Sequence, residues 1–280
     1  MSEKRLALVI GNASYFHIDP LSNPLQDAEA FAEQLEKLGF SVIKGLDLDL
    51  HGLGEIQSEF EAALEDRPDV ALLYYAGHGL QVDGRNYLVP IDADITARAH
   101  LATRALAFDH ILADMSEMAG ASLVFLDACR DNPLVRRLSS GSSGRARSIQ
   151  VRGGLARVDK VAGTFIAFAT APDQVAYDGS GPNSPFTGAL LRHITRPGIS
   201  VGDMMIDVRN DVLRDTDGRQ EPWDQSSLRA RFYFSEPESS PATNPRPLPQ
   251  PLEKYVVAQT SVHETVQAYT KEKLKKERPW

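Results

Sequence analysis

Through the first 235 residues, short apolar runs alternate with amphipathic segments. Leu6–Ile10, Ser41–Leu46, Val70–Ala76, Leu123–Ala128 and Phe165–Thr170 are brief apolar stretches bounded by polar or turn residues, the mark of strands. Leu25, Ala28, Phe31, Ala32, Leu35 and Leu38 recur at helical spacing, and Gly39 ends that helix. Leu53–Leu64, Asp109–Met118, Pro185–Ile194 and Val201–Thr216 read as further helices. The last opens on Ser200 with Asp203 three residues on, which resembles a capping box. Ser227–Phe234 reads as a final strand. Strands alternating with helices need right-handed crossovers, so the predicted class is α/β: a mainly parallel sheet with helices on both faces. The unbroken apolar character of Val70–Tyr75 and Leu123–Leu126 suits strands buried on both sides.

Two segments interrupt this pattern. Arg130–Arg157 holds seven arginines, one acidic residue (Asp131) and the Ser/Gly run Ser139–Gly144, which predicts a long loop. Glu236–Pro251 holds six prolines and reads as an extended linker. The chain therefore divides into a domain over 1–235, a linker over 236–251 and a lysine-rich tail of some helical character over 252–280. Within the domain, parts 1–130 and 161–235 flank the loop 131–160.

Composition narrows the function classes. A chain of 280 residues with 42% hydrophobic and 24% charged positions suits a globular protein with its own core. The net charge of −8 argues against a nucleic-acid partner. One cysteine excludes an internal disulfide and a Cys-rich zinc site, and it favours a reducing, cytoplasmic setting. No leader is read at the start, where Met1–Arg5 run directly into Leu6–Ile10, and that stretch is too short to span a membrane. His17, His51, His100, His110, His193 and His263 show no metal-ligand spacing, so no metal is expected. The phosphate loop, the dinucleotide fingerprint and the nucleophile elbow are all missing.

The reactive side chains fall at strand ends. His78 follows the third strand, in Ala76-Gly77-His78-Gly79, and Cys129 follows the fourth, in Asp127-Ala128-Cys129. Ligands of open parallel sheets gather beyond the carboxyl ends of the strands, so adjacent strands would set the two side by side. A cysteine is mostly thiol at neutral pH, and a nearby imidazole can take its proton and later protonate a leaving amine. The backbone N–H groups of Gly79 and Cys129 are candidates for an oxyanion hole. A lone cysteine ending a buried strand is, by itself, more often a small core hydrophobe; the histidine at a matching strand end is what shifts that reading. Asp127 lies two residues before Cys129 and faces the same side if strand geometry persists. A bare carboxylate there would oppose thiolate formation, which makes sense if a substrate cation pairs with it. The competing role is a cap on the following turn. Asp27, in the first helix, competes between that pocket and its own helix N-terminus. Asp173 competes between the pocket and a Pro-Asp turn. Asp92 and Asp94 compete between binding a cation and solvating a loop, and the loop is the favoured reading.

These residues resemble the caspase-like superfamily, and most closely its paracaspase and bacterial orthocaspase branches. The resemblance covers about 4–234. It is carried by Leu6–Asn12, Leu72–Gly79, Asn86–Asp92, Phe125–Arg130, Ala167–Thr170 and Ser184–Leu190. It implies a three-layer caspase-like fold and a Cys129–His78 dyad. It also implies a pocket for a basic residue built on Asp127 and Asp27, with a weaker carry-over to Asp173. Apoptotic caspases carry Gln-Ala-Cys and cut after Asp; here Asp127 replaces that Gln, so cleavage after Arg or Lys is expected. Metacaspases carry His-Ser-Gly after the cysteine and need calcium; Arg130-Asp131-Asn132 stands here instead, so calcium is not carried over and no cofactor is expected. Arg136, Arg137, Arg145, Arg147 and Arg152 are candidates for self-cleavage. The expected partner is a protein or peptide substrate, and homodimerisation is left open. The alternatives are a catalytically silent caspase-fold scaffold and a flavodoxin-type ligand-binding module, each poorer in explaining His78 with Cys129.

Overall fold

A computed structural model describes residues 3–128, 151–152, 162–171, 176 and 181–236. These lie in one compact unit, Met1–Glu238. The linker and tail of the sequence reading fall outside the described residues.

The chain forms β1 (Arg5–Gly11), α1 (Pro24–Lys37), β2 (Phe40–Leu46), α2 (Leu50–Leu64), β3 (Val70–Ala76), β4 (Gly79–Val82), β5 (Arg85–Leu88), α3 (Leu101–Arg104), β6 (Leu106–Ala107), α4 (Phe108–Met118), β7 (Ala121–Asp127), β8 (Val151–Arg152), β9 (Thr164–Phe168), α5 (Pro185–His193), α6 (Val201–Asp215) and β10 (Trp223–Ser226). The main sheet has the order β10-β9-β7-β3-β1-β2. All its pairs are parallel except β10 with β9. Helix α1 packs on β1, β2 and β3 and joins α5, which packs on α6; α2 joins α4 on β2 and β7. Two helix layers thus enclose the sheet, as the apolar patterning requires.

Every residue of β3 and β9 is buried, and all but the first of β1 and β7. Phe31 of α1 stacks on Tyr74 of β3 with centroids 4.4 Å apart, and Phe125 of β7 lies 5.9 Å from Phe31. These rings tie the first helix to the two central strands. Gly11 ends β1 where α1 approaches closely: a Cβ there would meet the Pro24 carbonyl oxygen at 2.5 Å and Ala28 Cβ at 2.7 Å. A larger residue would push α1, and Asp27 with it, away from the sheet.

Two expectations change. The final strand is Trp223–Ser226, antiparallel to β9, and not Ser227–Phe234. Phe232 and Phe234 are buried in the core without joining the ladder, so apolar content marked their burial and not their pairing. A second sheet, order β6-β5-β4-β8, was not foreseen. Its strands are two to four residues long, too short for a clear alternation. The legible signal was Asp83-Gly84, whose φ angles of 50° and 80° make the tight turn between β4 and β5. Arg152 lies in β8, where its backbone pairs with Gln81, so this part of the expected loop is strand.

The α5–α6 pair carries a charged cluster. Asp211 accepts hydrogen bonds from Arg192 Nε at 2.8 Å and His193 Nε2 at 3.0 Å, and pairs with Arg214 at 2.8 Å. Partial burial pushes the Asp211 carboxyl up, but these partners outweigh it and hold it at about 2. A folded value below the ordinary 3.8 stabilises the fold above pH ~4, and that contribution disappears as pH falls through about 2. Arg192 and Arg214 are 45% and 67% exposed, so solvent screens the pairs and the net effect is on the order of 1 kcal/mol. Urea unfolding should find Asp211→Asn less stable than the wild type at pH 7, with the gap closing between pH 4 and 2. A gap independent of pH would show that the lost charge is not responsible.

Candidate active site

Strands β3 and β7 are paired in register, Ala76 opposite Asp127, so both chains leave the sheet at the same edge. The contact continues beyond the strands. Gly77 N–H donates to the Asp127 carbonyl and Gly79 N–H to the Ala128 carbonyl, both at 3.2 Å. The segment around His78 is thereby fastened to the residue that precedes Cys129. Cys129 itself lies outside the described residues, and so do Asp173, Arg136, Arg137, Arg145 and Arg147.

His78 is only 2% exposed, and its backbone is held from both sides by tyrosines. Its N–H donates to Tyr15 Oη at 2.8 Å, and its carbonyl accepts from Tyr75 Oη–H at 2.8 Å. The Tyr15 ring also meets the imidazole edge-on with centroids 4.6 Å apart. Gly77 leaves room for this clamp, since a Cβ there would meet Tyr15 Oη at 2.7 Å and Tyr75 Oη at 2.8 Å. The Asn86–Asp92 motif supports the same loop. Val89 N–H donates to the His78 carbonyl at 3.2 Å, and Val89's carbonyl accepts from Asn12 Nδ2–H at 3.1 Å.

The imidazole Nε2 lies 3.0 Å from the Asp19 carbonyl oxygen. A carbonyl only accepts, so this nitrogen carries the proton of the contact. In the neutral ring the lone pair is then on Nδ1. Sequence reading missed Asp19 because a main-chain carbonyl has no residue-type signature. It missed Tyr15 because a lone tyrosine after a strand carries no distinctive pattern.

Replacing Tyr15 by Phe keeps the ring and removes the acceptor for the buried His78 N–H. An unsatisfied buried donor costs ~1–3 kcal/mol. Denaturant unfolding of Tyr15→Phe should show a loss of that order, and unchanged stability would mean another group accepts the N–H.

Asp27 and Asp127 are both 0% exposed and converge on the start of α5. Asp27 Oδ1 accepts from Asn183 Nδ2 at 2.9 Å and from Ser184 N–H at 3.1 Å. Asp127 Oδ2 accepts a short bond from Ser184 Oγ–H and one from Thr187 Oγ1–H at 3.1 Å. Ser184 is the N-cap of α5, its Oγ accepting from Thr187 N–H at 3.0 Å, with Pro185 at the first helical position. Asp27 lies in the first turn of its own helix and also accepts from the residues that open α5. Asp127 accepts from the α5 cap, and the turn that follows it lies outside the described residues. The Ser-Pro pair at 184–185 is a helix-start signal, so Ser184 was legible as a cap. Its partnership with the two acids was not.

The Gly79 N–H expected at an oxyanion is engaged with Ala128 here, so an oxyanion would have to displace that carbonyl. Asp92 Oδ1 accepts from Leu50 N–H at 3.0 Å at the start of α2, and Asp94 pairs with Arg104 at 3.5 Å; both hold loops. Among the described residues no cluster of three or more His, Cys, Asp or Glu is placed to hold a metal ion. No described helix is long and apolar enough to cross a membrane.

The family model described as the caspase domain matches residues 4–233. The mouse mucosa-associated lymphoid tissue lymphoma translocation protein 1 homolog is 35% identical over 131 residues, 46% of this chain and 15% of that protein. The human protein of that name is 34% identical over the same length and shares. The matched stretch thus spans about one-seventh of the curated relatives. Among solved structures, caspase-1 from Spodoptera frugiperda superposes with a TM-score of 0.60 at 20% identity, over 85% of this chain and 92% of that one. That likeness concerns the fold: the three-layer arrangement around the mainly parallel sheet. Together they support the resemblance to caspase-like proteins close to the paracaspases, and the chain belongs to the caspase-domain family of cysteine peptidases.

Proposed function

We propose that the protein is a cysteine endopeptidase that cuts after Arg or Lys, with Cys129 as nucleophile and His78 as base. The observation that carries this reading is the convergence of two buried carboxylates, Asp27 and Asp127, on Ser184 at the edge where β3 and β7 deliver His78 and the chain leading to Cys129. Two negative charges in a poorly solvated site make a strong field for a cation. A guanidinium entering there would exchange with the Ser184 and Asn183 contacts, and its planar fork suits paired carboxylates better than an ammonium does.

His78 Nδ1 takes the Cys129 proton as sulfur attacks the scissile carbonyl carbon. The resulting oxyanion receives the N–H groups of Cys129 and Gly79, the latter leaving the Ala128 carbonyl for a stronger charged acceptor. Collapse breaks the C–N bond, and His78 returns its proton to the leaving amine. Water then hydrolyses the thioester with His78 again as base. The Arg-rich stretch supplies candidate self-cleavage bonds after Arg136, Arg137, Arg145, Arg147 and Arg152. Fluorogenic peptides ending in Arg, Lys or Asp test the reading directly. Arg should lead, and a preference for Asp would remove the acidic-pocket argument. A silent scaffold would cleave none of the three.

A further inference from the structure

We propose that Phe16 is a specificity-determining residue on the leaving-group side of the cleavage site, favouring substrates with an apolar side chain immediately after the scissile bond. The inference rests on the protease reading above.

The order of strands gives the direction. β7 leads to the nucleophile, β3 leads to His78, and β1, the next strand across, leads to the loop that carries Phe16. Neighbouring strands are ~4.8 Å apart. The thiol attacks the carbonyl side of the bond while the imidazole protonates the amine side. The amine half of a substrate therefore lies on the His78 side of the bond, where the loop after β1 packs Tyr15 against the imidazole. An extended residue advances ~3.3 Å, so the side chain just after the bond comes within reach of the β1 loop.

The loop presents Phe16 by design of its anchors. Tyr15 and Ile18 are buried in the satellite core with Leu80, Val89 and Ile91. Phe16 N–H donates to the Ile91 carbonyl at 2.9 Å, and Leu21 N–H closes the loop on the Ala13 carbonyl at 3.0 Å. Asp47 accepts from Ala13 N–H, Ser14 N–H and Ser14 Oγ–H. Burial pushes the Asp47 carboxyl up, but those bonds outweigh it and hold it below its ordinary value, so this anchor is charged at neutral pH. Between these fixed points the Phe16 side chain stands 67% exposed, the most exposed large apolar side chain among the described residues. Tyr15, the residue before it, packs against the His78 ring. An aromatic held in water next in sequence to the tyrosine that packs on the His78 ring is a ready apolar contact for a leaving group.

Steady-state kinetics of the full chain on two internally quenched peptides test this. The peptides are identical through the Arg of the scissile bond and carry Leu or Asp directly after it. The wild type should favour Leu by about tenfold in kcat/KM. That ratio should fall toward one in Phe16→Ala and be retained in Phe16→Leu. A wild type without the preference, a ratio that survives Phe16→Ala, or a Phe16→Ala variant that cleaves neither peptide would overturn the proposal. An arginine coumarin amide, which has no amino acid after the bond, separates the two levels. A wild type inert toward it and toward both peptides removes the protease reading and this inference together. A wild type active on it whose ratio ignores Phe16 removes this inference alone.

Discussion

Cys129→Ala should lower hydrolysis of an arginine-amide reporter by at least about 10³-fold, with far-ultraviolet circular dichroism unchanged. The size follows from the role. Without the sulfur no thioester forms, and His78 has no thiol to deprotonate, so both steps of acyl transfer are lost together. Alanine keeps the backbone and removes a single heavy atom. The same pair of proteins reads out self-processing by intact mass: wild type should shorten at bonds after the candidate arginines, and Cys129→Ala should stay whole. Hydrolysis that persists in the variant would show that another residue, or a contaminant, does the work.

The second large effect concerns Asp127. Asp127→Asn keeps the size of the side chain and an oxygen that can accept from Ser184, but it removes the charge expected to meet a substrate guanidinium. Losing one partner of a buried, hydrogen-bonded charge pair costs ~2–5 kcal/mol. We therefore expect kcat/KM for arginine peptides to fall by roughly 10²–10³-fold, and the preference of Arg over a neutral residue to shrink in parallel. Comparing arginine with citrulline at the same position isolates the charge, because citrulline keeps the shape. If Asp127→Asn weakens both peptides equally, Asp127 acts only by holding α5 through Ser184 and Thr187. Thermal unfolding would then register the same loss.

Much of the architecture was legible because its signals are local. The continuous apolar runs at Val70–Tyr75 and Leu123–Leu126 mark strands buried on both faces, and the helical periodicity of Leu25–Leu38 marks the helix that packs beside them. His78 and Asp127 were found as strand-end residues, and the sheet order places their strands side by side. The small sheet was not legible beyond its Asp-Gly turn, since strands this short carry too few positions to show a period. Ser227–Phe234 misled because an apolar stretch reports burial and says nothing of whether its backbone joins a ladder.

The sequence by itself determined which chemical groups are present and which strand ends carry them, because side-chain alternation and helical repeat are properties of neighbours along the chain. Only the tertiary structure decided the company those groups keep. The Asp19 carbonyl at the imidazole, the tyrosine clamp on His78, and the meeting of Asp27 with Asp127 at Ser184 join residues 57 to 157 positions apart or rest on backbone atoms common to every residue. Such contacts arise when the packed sheet closes loops from distant segments onto one edge, and no spacing rule along the chain encodes them.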